Sequence, residues 1–410
     1  MPTQWKVAEI HPIPKVPKPT EPSHMRPISV LPILSRVTER LINKLYITPA
    51  LLQSIDLTNQ FAYLPTRSTT AALISLLTHI TNLLETNSHV YVITFDYSKA
   101  FDTLSHWSVA TVLAQTPLPY NCYNWVLDYL FNRSQYTLFS NKKSAEMPIN
   151  TGVIQGSVLG PVLFNAVSST LKPASPLNKY FKYADDGYLV VPGSNRGSIQ
   201  NELTHHSQWA ASHNLKLNPD KTCEIVFSKK NTTKPPLNLG VERVSTLRIL
   251  GVTVDENLNF KQHIENSISS CSSTFFALRT LKQFGAKEQE LQLVFRAKIV
   301  SKLLYGSLAW WGFITKALIN RLETFLRRAI KYKYYPSESS PTIAEIVDKQ
   351  EKHLFKAITQ NKSHCLHHLL PELKEITYSL RPRGHYFSLP TKNDKLFISR
   401  CLYKYRNDIS

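Results

Sequence analysis

Residues 89–95 read HVYVITF, an unbroken run of β-branched and aromatic side chains that stops at Asp96. A strand with one wet face alternates apolar and polar residues, whereas a continuous apolar run has to be covered on both faces. The chain must therefore build a sheet with this strand inside it, and the strand's polar tip is a carboxylate.

A second stretch, KYFKYADDGYLVV (residues 179–191), sets Asp185 and Asp186 side by side between two strand-like pieces. Asp186-Gly187 is a strong hairpin signal, because Asp and Gly tolerate positive φ. On these residues alone a plain turn and a metal site both stand. Successive strand side chains point to opposite faces, so two adjacent aspartates make a poor cage for a hard cation without a third carboxylate. Asp96 is the candidate, at the lip of a sheet beside the hairpin tip. Asp96 and Asp185 could then hold two Mg²⁺ ions, or Mn²⁺ in their place, with Asp186 in support, a set suited to in-line phosphoryl displacement.

Charge points the same way. The 410 residues carry 48 Lys and Arg against 29 Asp and Glu, a net +19 spread along the chain, which suits a polyanionic partner, nucleic acid before membrane. The five cysteines lie far apart without a CxxC, so neither a disulfide framework nor a zinc module is indicated. The run His364-Cys365-Leu366-His367-His368 lacks structural zinc spacing and reads as a polar helix end. No stretch reaches the ~20 apolar residues a membrane span needs, and no signal peptide opens the chain, so an intracellular protein is expected, as a nuclear or a cytoplasmic ribonucleoprotein.

Residues 9–23, EIHPIPKVPKPTEPS, hold five prolines and read as an extended basic segment. Apolar spacing predicts helices over 31–45 and 68–85, the second capped by Ser68 or Thr69. Helices at 107–113 and 123–131 and strands at 135–140 and 145–149 follow. A further helix enters at Gly160-Pro161, and another covers 198–214, before strands at 222–228 and 249–254. Without the Gly-rich loops of a nucleotide-binding α/β fold, the class is α+β. Beyond residue 260 the pattern is helical throughout, at 263–284, 287–305, 316–333 and 342–360. Residues 256–335 carry 13 basic and 5 acidic side chains, a surplus of +8 suited to gripping a duplex along its phosphates.

Taken in order, FDYSKAFD (95–102), QGSVLGPVLFN (155–165), YADD, LKLNPDKT (215–222) and LGV (250–252) resemble the palm motifs of a reverse transcriptase. WKVAEIHPIPK (5–15), RPISVLPILSRVTERL (26–41) and the turn before Arg67-Ser68-Thr69-Thr70 resemble the fingers of non-LTR retrotransposon (LINE-type, jockey-like) enzymes. Similarity runs over about residues 5–252, and the helical remainder resembles the thumb and C-terminal region more loosely.

The resemblance implies a right-hand polymerase fold with fingers at 1–88, a palm with inserted finger elements at 89–255, a helical thumb at 256–335 and a helical C-terminal region at 336–410. It implies an RNA-directed DNA polymerase whose partners are template RNA, primer DNA and deoxynucleoside triphosphates. Asp96, Asp185 and Asp186 would be the metal-binding catalytic triad. Phe101 would be the aromatic floor under the sugar that excludes a ribose 2′-hydroxyl; its plainer reading is a core phenylalanine. Gln155 and Gly156 would lie against nucleotide and template, Lys15 and Arg26 would reach the triphosphate, and Lys221 would stand near the departing pyrophosphate as a general acid. An inactive palm-fold remnant that binds RNA is the alternative, and an RNA-dependent RNA polymerase is disfavoured by the bulk of Phe101.

Two departures from the family pattern stand out. In the resembled elements an endonuclease domain precedes the polymerase, but this chain starts almost at the first finger motif, so a separate or missing endonuclease, and a fragment or truncated copy, are expected. PTRST (65–69) replaces a glycine-containing turn, which predicts altered finger geometry there.

Overall fold

The computed structural model describes residues 1–229, 232–233, 235–238, 240–336, 340–374 and 384–407; parts of the expected C-terminal region, 337–339, 375–383 and 408–410, lie outside the described residues. Along the chain run β1 (Val7–Pro14), β2 (Met25–Val30), α1 (Ile33–Ile42), α2 (Thr69–Thr86), β3 (His89–Phe95), β4 (Arg133–Phe139), β5 (Met147–Ile149) and α3 (Leu159–Ser168). Then come β6 (Lys179–Tyr183), β7 (Asp186–Pro192), α4 (Ile199–Ser212), β8 (Cys223–Ser228), β9 (Glu242–Arg243), β10 (Thr246–Ile249) and β11 (Val252–Asp255). Regular structure beyond these strands is helical, led by α5 (Lys261–Gln283), α6 (Lys316–Lys331), α7 (Ile343–Gln360) and α8 (Phe397–Lys404).

The strand HVYVITF sits inside a five-stranded sheet of order β9-β8-β3-β7-β6, in which every pairing but the short β8–β9 contact is antiparallel. Both its faces are covered, which is why it carries no polar alternation. Val90 and Val92 pack beneath α2 in an apolar cluster that continues into the C-terminal helices. Tyr91, Ile93 and Phe95 point the other way, against Tyr180, Leu189, Val191 and Ile199. Each buried side chain of this kind stabilises the fold by roughly 1.5–3 kcal/mol over leaving it exposed. A second sheet forms from the N-terminal hairpin: β1 pairs antiparallel with β2 and parallel with β4, and β5 closes on β4. The proline-rich lead-in is extended as its composition requires, broken by one 3-10 turn at Pro22–His24.

Ser68 is the residue that caps α2, its hydroxyl accepting from Ala71 N–H at 3.1 Å. The single strand expected over 249–254 is instead a hairpin. β10 and β11 pair through a turn at Leu250-Gly251, both at positive φ, and the Tyr305 hydroxyl donates to Leu250 O at 2.9 Å. Helix α1 forms where apolar spacing predicts it, but Leu34, Val37 and Leu41 face outward and Ser35 and Glu39 are buried. No described helix is long and apolar enough to cross a membrane.

Under the central sheet, His206 is fully buried. Its Nε2 faces the Tyr97 hydroxyl at 2.7 Å, its Nδ1 the Tyr180 hydroxyl at 3.0 Å, and its ring stacks on Phe95 with centroids 3.7 Å apart. Burial pushes His206 down to about 3, and burial likewise pushes His79 and His263 down to about 4. These groups stay neutral in the folded protein while an unfolded chain protonates them near pH 6.5. Their contribution to stability is therefore complete above pH 6.5 and is lost as pH falls towards 4. Denaturant unfolding followed by circular dichroism should show that loss across this window. His206→Gln should flatten the dependence and cost about 1–3 kcal/mol at pH 7 by leaving one tyrosine hydroxyl unpaired.

Candidate active site

Four segments converge at the end of β3. The β3–β7 register sets Phe95 opposite Gly187, so Asp96 and Asp186 lie opposite one another one step past the ladder. β6 and β7 pair Tyr183 with Asp186, which makes Ala184 and Asp185 the hairpin loop. The turn thus comes earlier than the Asp186-Gly187 pair suggests. Ala184, at φ 56°, takes the left-handed position, while Gly187 is an ordinary strand residue with 3.9 Å between its notional Cβ and that of Phe95. What holds Ala184 there is Gln60, 2% exposed, whose Oε1 accepts from Ala184 N–H at 3.1 Å and from Ala62 N–H at 3.2 Å. Residues 59–61 extend the sheet edge at β6 through Lys182 N–H to Asn59 O and Phe61 N–H to Lys182 O, both 2.8 Å.

In the PTRST turn a threonine takes the left-handed backbone that a glycine adopts without strain. Thr66 adopts φ 62°, and Cys365 of the HCLHH run meets it twice, Cys365 N–H donating to Thr66 Oγ1 at 3.3 Å and Sγ–H to Thr66 O at 3.2 Å. The next residue, Arg67, donates to the carbonyls of Leu57 and Gln60. The HCLHH run lies past the end of α7, with His364 and Leu366 buried and His367–Leu369 in a 3-10 turn. As placed, no three or more His, Cys, Asp or Glu among the described residues gather into a metal-holding group, Asp96, Asp185 and Asp186 included.

A cleft of about 1350 Å³ opens between the two sheets, and Lys15, Arg26, Asp96, Phe101, Gln155, Gly156, Asp185 and Lys221 all line it. Asp186 does not; it sits just behind, at the start of β7. The Arg26 side chain is exposed and has no hydrogen-bond or ion-pair partner among the described residues, whereas Lys15 donates to Ser23 O at 3.2 Å. The half-buried Phe101 lays its ring on Phe164, centroids 4.8 Å apart. Gly156 is a glycine because of the protein itself: at φ 117° its Cβ would stand 2.3 Å from Ser29 O. Lys221, on the 3-10 turn Pro219–Lys221, places Nζ 3.2 Å from Asp96 Oδ2, and Asn218 N–H donates to Asp96 O at 2.8 Å.

Several site residues escape motif reading. Asp102 accepts from Gln155 Nε2 at 2.7 Å and so orients that amide, and burial raises its carboxyl against that bond. Tyr63, at φ 55° and 57% exposed, lines the cleft near Asp185. Asp102 and Asn218 fall inside the quoted motifs; Gln60 and Tyr63 precede PTRST without any residue pattern that marks them.

The electrostatics suit hard cations. Burial first, and then the charge of Asp96, raise Asp185, with its own backbone N–H and Lys221 opposing. Desolvation, then Asp185 and then Asp96, push Asp186 up to about 6. Asp186 is exposed, so the neighbouring charges of Asp185 and Asp96 do more than burial to raise it. Crowded carboxylates of this kind present the oxygen donors Mg²⁺ takes, and their repulsion is relieved when a divalent cation lies between them. Here Lys221 is the cation against Asp96.

Residues 14–254 match the reverse transcriptase (RNA-dependent DNA polymerase) family model. The chain belongs to the reverse transcriptase family. Relatives from Drosophila melanogaster place it in the LINE-type branch. It is 30% identical over 356 residues to a probable RNA-directed DNA polymerase from transposon BS, covering 80% of this chain and 38% of that protein. It is 26% identical over 352 residues to the RNA-directed DNA polymerase from mobile element jockey, again covering 80% and 38%. The chain thus spans 38% of the length of these relatives. With its antiparallel sheet, second sheet and helical remainder it has the right-hand polymerase fold of that family. Among solved structures, apo telomerase from Candida Tropicalis aligns over 86% of this chain and 61% of that one at 13% identity, with a TM-score of 0.49, too slight a likeness to bear on function.

If the carboxylates take up divalent cations, millimolar Mg²⁺ should raise the melting temperature of the reverse transcriptase chain at pH 7.5, because binding to the folded state alone stabilises it. Asp96→Asn and Asp185→Asn should abolish that rise in thermal scans. An equal rise in both variants would place the binding elsewhere.

Proposed function

We propose that the chain carries an RNA-directed DNA polymerase site that adds deoxynucleotides to a primer 3′-hydroxyl on an RNA template. The observation that carries this reading is the convergence on one cleft of eight residues from separate stretches of the chain, Asp96 and Asp185 among them, with Lys221 paired to Asp96. In this reading 1–88 are fingers, 89–255 palm with inserted finger elements, 256–335 thumb and 336–410 the C-terminal region.

Asp96 and Asp185, with Asp186 behind them, would hold two Mg²⁺ or Mn²⁺ ions, which when bound favour the ionised primer hydroxyl and neutralise charge on the leaving oxygen. The chain's own groups do the rest. Arg26, exposed and unpaired, offers a two-pronged contact to triphosphate oxygens, and Lys15 stands beside it as a point charge. Phe101, braced from behind by Phe164, presents a flat ring where a sugar would rest. Gln155, its amide nitrogen already engaged by Asp102, lines the cleft where nucleotide and template would lie. Lys221 can leave Asp96 for the departing pyrophosphate, donating a proton or a hydrogen bond there.

Purified protein given a primed RNA template with Mg²⁺ should extend the primer with dNTPs. Asp185→Asn should lower that rate by at least about 10³-fold, the several kcal/mol that metal-assisted charge stabilisation supplies. Template binding without extension would favour a catalytically silent remnant, and extension with NTPs alone would favour an RNA polymerase.

The sugar floor has a test of its own. Phe101→Val should shift the dNTP-over-NTP preference towards NTPs by about 10-fold or more, since filling or emptying part of an apolar pocket is worth about 1–3 kcal/mol of discrimination. Single-nucleotide incorporation with dCTP and CTP in parallel measures the ratio; an unchanged ratio would return Phe101 to the core.

A further inference from the structure

Glu39 has no exposed surface, an unusual place for a carboxyl on a helix whose leucines face solvent. Its partners explain the burial. Oε2 accepts from the Ser157 hydroxyl at 2.6 Å and from Val158 N–H at 2.9 Å, and Oε1 accepts from the Ser35 hydroxyl at 3.2 Å. Ser157 in turn accepts from the Tyr129 hydroxyl at 2.6 Å and from Leu159 N–H at 3.0 Å. Tyr129 and Ser157 are themselves buried, and the buried Arg133 lies over the Tyr129 ring at 4.9 Å, which brings a compensating positive charge behind it.

This network grips residues 157 and 158, which directly follow Gln155-Gly156 and lead into α3. A carboxyl against the first N–H groups of a helix is favourable for its partial charges as well as for the bonds. β2 holds the other side of the same loop through Ser29 N–H to Gln155 O at 2.7 Å, and Arg26 lies on that strand. α1 and β2 therefore clamp one loop from two directions, and the loop presents Gln155 to the cleft.

We infer that Glu39 is a positioning residue for nucleotide binding, fixing the Gln155–Gly156 loop to the fingers through Ser157 and Val158. The inference rests on the polymerase reading of the cleft for its kinetic consequence, but its structural half stands apart from it. Glu39 touches no part of the cleft, so its removal should loosen the loop that meets the nucleotide and leave the carboxylates where they are.

Leucine and glutamine at position 39 separate this from a general stabilising role. Glu39→Leu strips both acceptors and should raise the KM for dNTP about tenfold or more, the effect expected when a buried hydroxyl and N–H lose their partner. It should leave kcat and the affinity for primed RNA within about threefold of wild type, because an interaction that fixes only the binding loop falls on KM. Glu39→Gln should stay close to wild type, its amide oxygen taking Ser157 and Val158 and its nitrogen turning to the Ser35 oxygen. Should Glu39→Leu fail to fold, Ser157→Ala cuts the same network more gently and should shift KM in the same direction.

Amide hydrogen exchange on the free protein is read alongside. Faster exchange in 153–159 with unchanged exchange in 183–187 supports the inference even where wild-type protein extends no primer, an outcome that would defeat the polymerase reading alone. A KM unmoved by Glu39→Leu, damage by Glu39→Gln equal to that by Glu39→Leu, or loosening shared by the whole sheet would overturn it.

Discussion

The pairing of Phe95 with Gly187 is the contact on which the site depends. Strand side chains alternate with a period of two, so a slip of one residue in this ladder would carry Asp96 away from Asp186 and turn Tyr91, Ile93 and Phe95 out of their cluster at once. The core fixes the register, and the register places the carboxylates. Burial on both faces of β3 is thus what holds like charges together, with Lys221 offsetting them at one end. Their repulsion is a cost the fold carries at its most sensitive point, as functional sites commonly do.

Support for that point comes from segments far away in the chain. Gln60 holds the strained Ala184, Arg67 holds the carbonyl of Gln60, and Cys365 holds Thr66 beside it. A residue between α7 and α8 is therefore two hydrogen-bonded steps from the segment that braces the hairpin. The left-handed Thr66 and Tyr63 fall in this same stretch, where surrounding structure over-determines the backbone. On the opposite wall, β2 and α1 perform the corresponding service for Gln155-Gly156.

Legibility in the sequence follows the range of the interaction. The buried strand 89–95, the Ser68 cap and the helices after 260 each express a local rule, and each is found where that rule puts it. The hairpin is found too, but its turn falls on Ala184-Asp185, because Gln60, more than a hundred positions earlier, supplies the bond that lets alanine take φ 56°. Nothing local could reveal that. Glu39 is a sharper case: its helix is announced by Leu34, Val37 and Leu41, yet the face that packs is the polar one, since its partner is a loop in need of an acceptor. Gly156 lines the cleft, yet what requires a glycine there is Ser29 O, a neighbour no local pattern reveals. Asp96 and Asp185 both line the cleft: the strand that ends at Asp96 and the hairpin signal at Asp186-Gly187 are local patterns, and the register that joins them is long-range.

The central claim is that Asp96 and the Ala184-Asp185 loop form one cation site. Anomalous scattering from crystals of the protein with primed RNA and Mn²⁺ tests it most directly. The account predicts two peaks about 3.5–4 Å apart between Asp96 and Asp185, with Lys221 Nζ displaced from Asp96. Peaks elsewhere, or none with Lys221 still bonded to Asp96, would contradict it.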